Sequence, residues 1–404
     1  MTERPARFLD APHVDNAPPN AVGGNTRLAI LCDYLEEVWP SMDLCGEMLA
    51  RELQLRPRDF SCQRLLPPFR RRLGRLTPLP FPGARFNADR LLNRLFDYPR
   101  FLREHLQAFD YFHVVDQSYA HLVHSLPAER TGVFCHDLDV FRCLFHPEQE
   151  PRPRWFRAMM RRCMRGFSKA AVVFHSTLRT RELILQHGLV SEDRLVHAPY
   201  GIAPEFCPQE SGTIEDAQLL ADLARGPYLL HVGNCIPRKR IDVLLDVFAS
   251  VRSQIPDVRL VKVGGSWTPE QEAQIDRLEI GASLVHKTDL SRADLAAIYR
   301  GASVVLLPSE AEGFGLPVIE ALACGSVVVA SDLATVREVG GDAVVYCPVA
   351  DVPAWVDSVL RLLRDPATAP ARGARLQRAG RYTWAAHAQT IEEAYARLRD
   401  GNPK

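Results

Sequence analysis

The chain has 404 residues, and its 49 basic side chains balance its 49 acidic ones, so the formal net charge is zero. A chain without excess positive charge is not built as a whole to bind nucleic acid, and its 47% hydrophobic content can supply cores for two or three domains. No apolar run approaches the ~18 residues of a membrane-spanning helix, and no basic start precedes an apolar leader.

The ten cysteines are scattered, without a Cys-x-x-Cys pair or a Cys/His cluster at zinc-binding spacing. This usage is typical of small buried side chains in a reducing compartment, so we expect a cytoplasmic protein with no metal site. The charge is unevenly distributed, because residues 1–200 hold 28 basic and 23 acidic side chains while the second half has the opposite excess.

Residues 1–26 contain four prolines and few large apolar side chains, and they are predicted to form a mobile tail. A first strand follows at Arg27–Asp33, then a helix at about 43–53, while the proline- and arginine-rich residues 55–86 stay unassigned. Further strands are predicted at 111–115, 132–135, 170–174 and 195–198, and helices at about 88–108 and 118–125. The alternation predicts a parallel, doubly wound sheet in a first domain, residues 27–205.

The polar, acidic residues 209–225 are interpreted as a linker. A second alternation follows, with strands predicted at 227–233, 259–263, 283–285, 303–307 and 327–330 and helices at about 241–253, 269–280, 292–301 and 317–324. It predicts a second Rossmann-like domain, residues 206–380, before a closing segment, residues 381–404, with one more helix at 384–398.

The strand predicted at 303–307 leads into a glycine turn, Gly313-Phe-Gly315, and Pro317 then opens a helix, where its missing N–H costs nothing. The N-terminus of such a helix presents free N–H groups and the positive end of the dipole, so the stretch is predicted to bind an anion. Glu312 and Glu320 flank it, and two carboxylates beside a phosphate indicate ligand hydroxyls as well. A sugar with a nucleotide would meet both demands, although Glu320 could simply stabilise the first helical turn.

Three cations, Arg238, Lys239 and Arg240, directly precede the helix predicted at 241–253. At a helix N-terminus they oppose the macrodipole, which is a local cost unless an anion lies between them. A local preference that conflicts with the fold is typical of a functional site, and a solvated basic turn is the alternative.

His136 and Asp137 directly follow a predicted strand, at the edge where α/β sheets bind ligands. His136 could face a ligand or be satisfied by neighbouring backbone, and Asp137 could act as a base or cap the next helix. Residues 116–119 follow another strand and could line the same edge. The glycines of Gly264-Gly-Ser-Trp267 suit either contact with a nucleotide base or a tight turn.

Between Pro151 and Lys169 the chain has seven basic side chains and no acidic one, with aromatic residues and methionines between them. Such a segment could lie on an anionic membrane with its apolar side inserted. It could equally be an ordinary helix that packs its apolar side on the sheet, and both interpretations stay open.

The stretch Glu312-Gly-Phe-Gly-Leu-Pro-Val-Ile-Glu320, continued by Ala-Leu-Ala-Cys-Gly325, resembles the Glu-x7-Glu signature of glycosyltransferase family 4. Members have the GT-B fold, in which two Rossmann-like doubly wound parallel-sheet domains face a cleft and the last helix returns to the first domain. The resemblance therefore implies an α/β, GT-B fold. Residues 27–205 would bind the acceptor, residues 206–380 would bind the nucleotide-sugar donor, and residues 381–404 would return to the first domain.

The resemblance also implies roles for individual residues. Arg238 and Lys239 would hold the donor diphosphate and His136 would face the transferred sugar, with Glu312 and Asp137 as further catalytic candidates. The other candidates for donor binding are Asn234, Gly313, Phe314, Gly315, Leu316 and Glu320. No metal and no cofactor is implied, because cations and a helix N-terminus would stabilise the leaving diphosphate instead.

The sequence thus predicts a retaining, metal-independent glycosyltransferase that moves a sugar from a nucleotide-diphospho-sugar to a hydroxyl of a glycan, a lipid-linked sugar or a small molecule. A GT-B epimerase or hydrolase, and a non-catalytic nucleotide-binding scaffold, stay as alternatives. Peripheral contact with an anionic membrane at its inner face stays open, and no nucleic-acid partner is expected.

Overall fold

The computed structural model describes residues 26–37, 39–55, 60–72, 82–209 and 214–401. They form two compact units. Unit 1 comprises the described residues up to Tyr200 together with those from Trp384 onward, and unit 2 comprises Gly201–Thr383. The predicted tail lies outside the described residues except for Thr26, which begins the first strand.

Unit 1 is built on a six-stranded sheet with the strand order β2-β1-β3-β4-β5-β6, and every neighbouring pair is parallel. The strands are β1 Thr26–Leu31, β2 Phe60–Leu65, β3 Tyr111–Val114, β4 Thr131–Cys135, β5 Val172–His175 and β6 Leu195–His197. The strand order reverses between β1 and β3, and in open α/β sheets such a switch point is where ligands bind.

The helices of unit 1 cover this sheet. They are α1 Pro40–Leu55, α2 Pro82–Leu92, α3 Tyr98–His105, α4 Arg142–Phe145, α5 Arg154–Lys169, α6 Leu178–Gln186 and, from the end of the chain, α15 Trp384–Arg399. All residues of β3, β4 and β5 are buried, as expected for parallel strands covered on both faces. Tyr395 of α15 is part of that interior, because its hydroxyl donates to the Phe112 carbonyl (3.0 Å).

Unit 2 repeats the architecture with a parallel sheet in the order β12-β11-β10-β7-β8-β9. Its strands are β7 Tyr228–Val232, β8 Arg259–Val263, β9 Leu284–Lys287, β10 Val304–Leu307, β11 Val328–Ser331 and β12 Val345–Cys347. Its helices are α7 Ala217–Leu223, α8 Ile241–Gln254, α9 Pro269–Arg277, α10 Arg292–Gly301, α11 Leu316–Ala323, α12 Ala334–Gly340, α13 Val352–Arg364 and α14 Arg372–Ala379. Two doubly wound parallel sheets confirm the predicted α/β architecture of two Rossmann-like units.

Some predicted elements differ from the observed ones. The helix predicted at 88–108 is divided into α2 and α3 by a π-helical turn, Asn93–Asp97. Buried Asn93 stabilises the turn, because its amide donates to the carbonyls of Arg70 (2.9 Å) and Asp89 (2.7 Å). The linker interpretation of 209–225 is wrong for its second half, because α7 lies there and buries Leu219 and Leu223 within unit 2.

Candidate functional site

A turn in unit 2 carries the three predicted cations. Pro237–Lys239 forms a 3-10 turn after β7, and Arg240 caps α8 with φ +48° and ψ +53°, in the left-handed region. A non-glycine residue pays about 1 kcal/mol or more for that backbone conformation. The Arg240 guanidinium offsets part of this by donating to Asp242 (2.7 Å) and lying 3.7 Å from Glu310.

The signature loop after β10 is joined directly to this turn. The Glu310 N–H donates to the Arg238 carbonyl (2.9 Å), and the Arg238 guanidinium donates to the Ala311 carbonyl (3.0 Å). The Lys239 ammonium donates to Glu312 Oε1 (2.6 Å), and Arg238 lies 3.6 Å from Glu312 Oε2. The structure therefore brings together Arg238, Lys239 and Glu312, three of the residues predicted for the site.

Glu312 is the centre of this arrangement, with a side chain only 5% exposed. Burial acts to raise its pKa, but the Lys239 ammonium, the Ser309 hydroxyl (2.6 Å) and the Arg238 guanidinium hold the pKa below its ordinary value. Glu312 is therefore an ionised, buried carboxylate at neutral pH. It supplies the counter-charge for the two cations that are predicted to hold a diphosphate.

The loop after β8 packs against the same turn. A Cβ on Gly264 would lie 3.1 Å from the Gly233 carbonyl oxygen, and one on Gly265 would lie 2.8 Å from the Cys235 nitrogen, so both positions require glycine. The Gly265 carbonyl accepts from the Lys262 ammonium (2.6 Å) and from the His286 ring (2.8 Å). The structure thus shows the tight turn, and the contact with a nucleotide base stays a prediction.

Most of the remaining donor candidates lie at the N-terminus of α11. Gly315 caps α11 with φ +94°, and Pro317 stands in the first turn as predicted. Phe314 is buried and packs edge-to-face against Tyr382, with ring centroids 5.7 Å apart. Gly313 and Leu316 are half-buried beside it, and Asn234 is exposed in the loop after β7.

Glu320 is the fifth residue of α11, so the alternative that it stabilises the first helical turn is wrong. Its side chain is buried and accepts a hydrogen bond from the Tyr299 hydroxyl (3.1 Å). Burial raises the pKa of Glu320 to about 7, while Tyr299 and the Arg292 charge oppose that rise. A carboxyl poised between its two protonation states can respond to a ligand that donates hydrogen bonds to it.

In unit 1, His136 directly follows β4 and is buried. Its Nε2 lies 2.8 Å from the Val115 carbonyl, and its Nδ1 is bonded to the Tyr200 hydroxyl. The carbonyl can only accept, so Nε2 carries the hydrogen and Nδ1 accepts from Tyr200. Burial lowers the pKa of His136, in keeping with this neutral form. The geometry corresponds to the histidine satisfied by its neighbours, and the role toward a transferred sugar stays a prediction.

Asp137 is half-buried beside His136. Its Oδ1 accepts from the Asp139 N–H (3.0 Å) at the start of a 3-10 turn, Asp139–Phe141, and lies 3.4 Å from the Gln117 amide nitrogen. Asp137 therefore bonds to the backbone two residues on but is not the cap residue of that turn, which is Leu138, so the helix-cap alternative is wrong and its role as a base stays a prediction.

A polar network that the sequence did not predict lies near the ends of β1 and β3. Glu37 lies 3.2 Å from Arg90 and 3.3 Å from Arg94, and it accepts from the Tyr119 hydroxyl (2.7 Å). The Arg94 guanidinium stacks on the Tyr119 ring at 3.9 Å. Arg94 belongs to the π-helical turn, and hydrophobic periodicity does not predict such a turn. Local sequence patterns therefore could not predict this network. Two carboxyls beside it, Asp33 and Asp116, are also buried.

The basic, aromatic segment forms α5. Met160, Cys163 and Phe167 are buried in the core of unit 1, so the apolar stripe is already packed and is not available to enter a bilayer. Trp155 is 58% exposed, and the cations Arg161, Arg162 and Arg165 lie on the exposed side of the helix. The structure thus favours the ordinary domain helix, with a basic outer face.

The described residues contain neither a metal-binding cluster nor a membrane-spanning helix. Within the described ranges, His, Cys, Asp and Glu side chains do not gather in groups of three or more that could hold a metal ion. Over the same residues, no helix has the length and apolar character that a membrane span requires. All ten cysteines are free thiols.

Comparison with known sequences points to one class of enzyme. Residues 219–382 match the family described as glycosyl transferases group 1. O-antigen chain mannosyltransferase B of Escherichia coli is 27% identical over 262 residues, which are 63% of this chain and 67% of that protein. The D-inositol 3-phosphate glycosyltransferase of Segniliparus rotundus is 35% identical over 179 residues, and the chain spans only 40% of its length.

Solved structures extend the likeness to nearly the whole chain. Sucrose-phosphate synthase from Thermosynechococcus elongatus superposes with a TM-score of 0.71 at 21% identity, covering 94% of this chain and 100% of that one. HepE of Anabaena, solved with UDP and glucose, gives 0.64 at 15% identity over 92% of this chain and 100% of that one. These matches confirm the GT-B fold, and together with the sequence matches they support a glycosyltransferase.

Proposed function

We propose that the protein is a retaining, metal-independent hexosyltransferase resembling glycosyltransferase family 4, which moves a sugar from a nucleotide-diphospho-sugar to an acceptor hydroxyl. The observation that carries the proposal is the joined pair of loops in unit 2, where Arg238 and Lys239 converge on Glu312. That pair lies within the residues that match glycosyl transferases group 1.

Unit 2 would bind the donor. Lys239 and Arg238 hold two positive charges in a largely buried setting, where a diphosphate gains more from them than it would in water. Their charge takes the place of a metal in stabilising the leaving nucleoside diphosphate. Glu320 would accept hydrogen bonds from the ribose hydroxyls, and Glu312 would contact the donor sugar near its reacting face.

The arriving diphosphate would also redistribute the bonds of Lys239. In the described structure the Lys239 ammonium donates to Glu312 Oε1 (2.6 Å), so the diphosphate would compete with this carboxylate for the same ammonium. A lysine that turns toward phosphate would free Glu312 Oε1 to accept a hydroxyl of the donor sugar. Binding of the donor would in this way prepare the carboxylate that contacts the sugar.

Unit 1 would position the acceptor and the transferred sugar through His136 and Asp137. The reaction proposed is substitution on one face of the sugar, with the leaving phosphate taking the acceptor proton, so protein groups mainly orient and stabilise charge. The acceptor would be a glycan, a lipid-linked sugar or a small molecule. The ten free thiols suit a reducing cytoplasm, where the basic face of α5 could meet the anionic inner surface of a membrane.

The decisive experiment has two steps. A thermal-shift screen of UDP-, GDP- and ADP-sugars should identify one donor that raises the melting temperature by mass action. Incubation of that donor with candidate acceptors should then give a glycoside with the donor's anomeric configuration, read by NMR. An inverted product would refute the retaining mechanism. Donor consumed with no acceptor present would favour an epimerase or hydrolase, and binding without any reaction would favour a scaffold.

A further inference from the structure

Two carboxyls meet at the switch point of the unit 1 sheet. Asp33 lies two residues beyond the end of β1, and Asp116 lies two residues beyond the end of β3. The two strands are parallel neighbours, and the Val115 N–H still donates to the Leu31 carbonyl (3.1 Å) just before the carboxyls. Because the ends of parallel neighbours lie at one edge, both side chains lie at the same edge of the sheet, and they are only 3% and 8% exposed.

The two carboxyls have very different partners. Asp116 Oδ1 accepts from the Ser118 N–H (2.7 Å), and its Oδ2 accepts from the Ser118 hydroxyl (2.9 Å). Among the described residues, neither oxygen of Asp33 receives a hydrogen bond, although both are buried. Arg94, a nearby cation, is engaged elsewhere, because it donates to Glu37 (3.3 Å) and to the Ser118 carbonyl (2.7 Å).

Two adjacent carboxyls cannot both be ionised in a buried, weakly polar site, so the pair holds one proton. The proton belongs on Asp33, because Asp116 already receives two donors that stabilise its charge. Burial and the charge of Asp116 raise the pKa of Asp33 well above its ordinary value. Burial alone would raise the pKa of Asp116, but a hydrogen bond with the Asp33 carboxyl, the Ser118 N–H and the charge of Arg94 hold it below its ordinary value.

We propose that Asp33 is a positioning residue that stays a neutral acid at neutral pH and donates its carboxyl hydrogen to Asp116, thereby fixing the turn that carries Gln117. The same hydrogen accounts for a buried side chain that otherwise has no partner among the described residues. An ionised Asp33 would place a second negative charge against Asp116 and push the turn away.

The turn matters because Gln117 holds both predicted residues of unit 1. Its Oε1 accepts from the His136 N–H (3.0 Å), and its amide nitrogen lies 3.4 Å from Asp137 Oδ1. Asp116 caps the start of this segment through Ser118. The effect on catalysis therefore rests on the proposed function, whereas the protonation of Asp33 does not.

Charged and titratable groups from several elements act on the pair. Glu37 follows β1, Arg94 belongs to the π-helical turn, and His136 follows β4. The thiols of Cys32, beside Asp33 in the chain, and of Cys45 in α1 lie near the pair, and burial raises the pKa of both thiols so that they stay neutral. Arg94 is thus the charged neighbour that favours ionised carboxyls, and it is already bonded to Glu37 and Ser118, whereas His136 is neutral.

Infrared spectroscopy of the full chain tests the protonation directly. Glu320, whose pKa is about 7, also contributes a protonated carboxyl at neutral pH, so the spectrum of Asp33→Asn is subtracted from that of the wild type. The difference at pH 7 should contain the carbonyl stretch of a protonated carboxyl. The exposed Asp193→Asn serves as the matched control, and its difference spectrum should lack that band. A wild-type minus Asp33→Asn spectrum without the band would overturn the proposal.

Kinetics test the positioning role. Asp33→Asn keeps a hydrogen-bond donor and should retain most of the transfer activity, whereas Asp33→Leu removes the donor and should lower kcat/KM for the acceptor by about tenfold or more. Affinity for the nucleoside diphosphate should be unchanged in both. Wild-type activity should fall as the pH rises through the titration of Asp33, and Asp33→Asn should lack that fall.

Two kinetic outcomes would contradict the inference. A folded Asp33→Asn protein as impaired as Asp33→Leu would do so, and so would an alkaline fall that persists in Asp33→Asn. If Asp33→Leu does not fold, the infrared spectra and the pH profiles of the wild type and Asp33→Asn still test whether Asp33 is protonated. If the wild type transfers no sugar at all, the proposed function fails, and the infrared comparison still decides the state of Asp33.

Discussion

Replacing Lys239 with methionine would remove its ammonium while keeping a long side chain. In the structure that ammonium lies 2.6 Å from Glu312 Oε1, with the two side chains 10% and 5% exposed. The substitution removes a charge-assisted contact with the diphosphate and leaves a buried carboxylate facing it. Arg238, at 3.6 Å, offsets only part of that charge. We therefore expect nucleoside diphosphate binding to weaken by about 2–3 kcal/mol, roughly 30- to 150-fold in Kd.

The ion pair also predicts the behaviour of companion variants. Glu312→Gln removes the carboxylate that competes for Lys239, so nucleoside diphosphate should bind at least as tightly as to the wild type while turnover falls. Adding Glu312→Gln to Lys239→Met should recover part of the lost affinity, because the repulsion disappears. Lys287→Met, in the same unit but paired with Asp216 at 2.9 Å, is the matched control and should bind normally.

Calorimetry with UDP, GDP and ADP measures these affinities, well below each variant's melting temperature. Lys239→Met should be less stable by about 1–3 kcal/mol, because it leaves Glu312 buried with fewer partners. Affinity equal to the wild type in a folded Lys239→Met protein would refute the diphosphate assignment. A further loss on adding Glu312→Gln would refute the competition between carboxylate and phosphate.

Three other outcomes are expected. If ribose hydroxyls donate to Glu320, whose pKa is about 7, nucleotide binding favours the ionised carboxylate, so the affinity for nucleotide should fall as the pH drops below about 7. Calorimetry in two buffers should detect the protons released on binding, and Glu320→Gln should abolish that release. An isolated fragment of residues 201–383 should bind nucleotide but transfer no sugar, and transfer by the fragment alone would remove unit 1 from the reaction. Because its apolar stripe is buried, α5 should bind anionic vesicles only through charge. Added salt, or replacement of Arg161, Arg162 and Arg165 by glutamine, should therefore release the protein from the vesicles. Binding that does not depend on vesicle charge would indicate a soluble acceptor.

Most of the fold followed from apolar runs, because central parallel strands are buried on both faces and read as continuous hydrophobic stretches. The edge strand β2 escaped this reasoning, because Phe60-Ser-Cys-Gln-Arg-Leu65 has polar residues at half its positions. β12 is only three residues long, too short for a periodic signal. The division of the 88–108 helix depended on the amide of Asn93, which bonds across the chain to Arg70.

The candidate site was predictable in part. Lys239 and Glu312 were expected to share a ligand, but their direct ion pair joins residues 73 positions apart and depends on how the two loops pack. The pair Asp33 and Asp116 could not be predicted from local pattern, because it exists only once β1 and β3 are neighbours. For His136, the sequence predicted its place at a strand end correctly but could not supply its partner Tyr200.

The place of α15 bears on how the chain folds as it is synthesised. Trp384, Ile391 and Tyr395 are buried in unit 1, and the Tyr395 hydroxyl fills the space where a Cβ on Gly132 would lie. The core of unit 1 is therefore incomplete until the ribosome has released residues 384–399. Unit 2 is one continuous segment and can fold first, which reverses the usual order in which the N-terminal unit leads. Until α15 has been synthesised, unit 1 exposes the apolar side chains that α15 covers in the folded protein. Unit 1 is therefore the half of the nascent chain that most needs a chaperone.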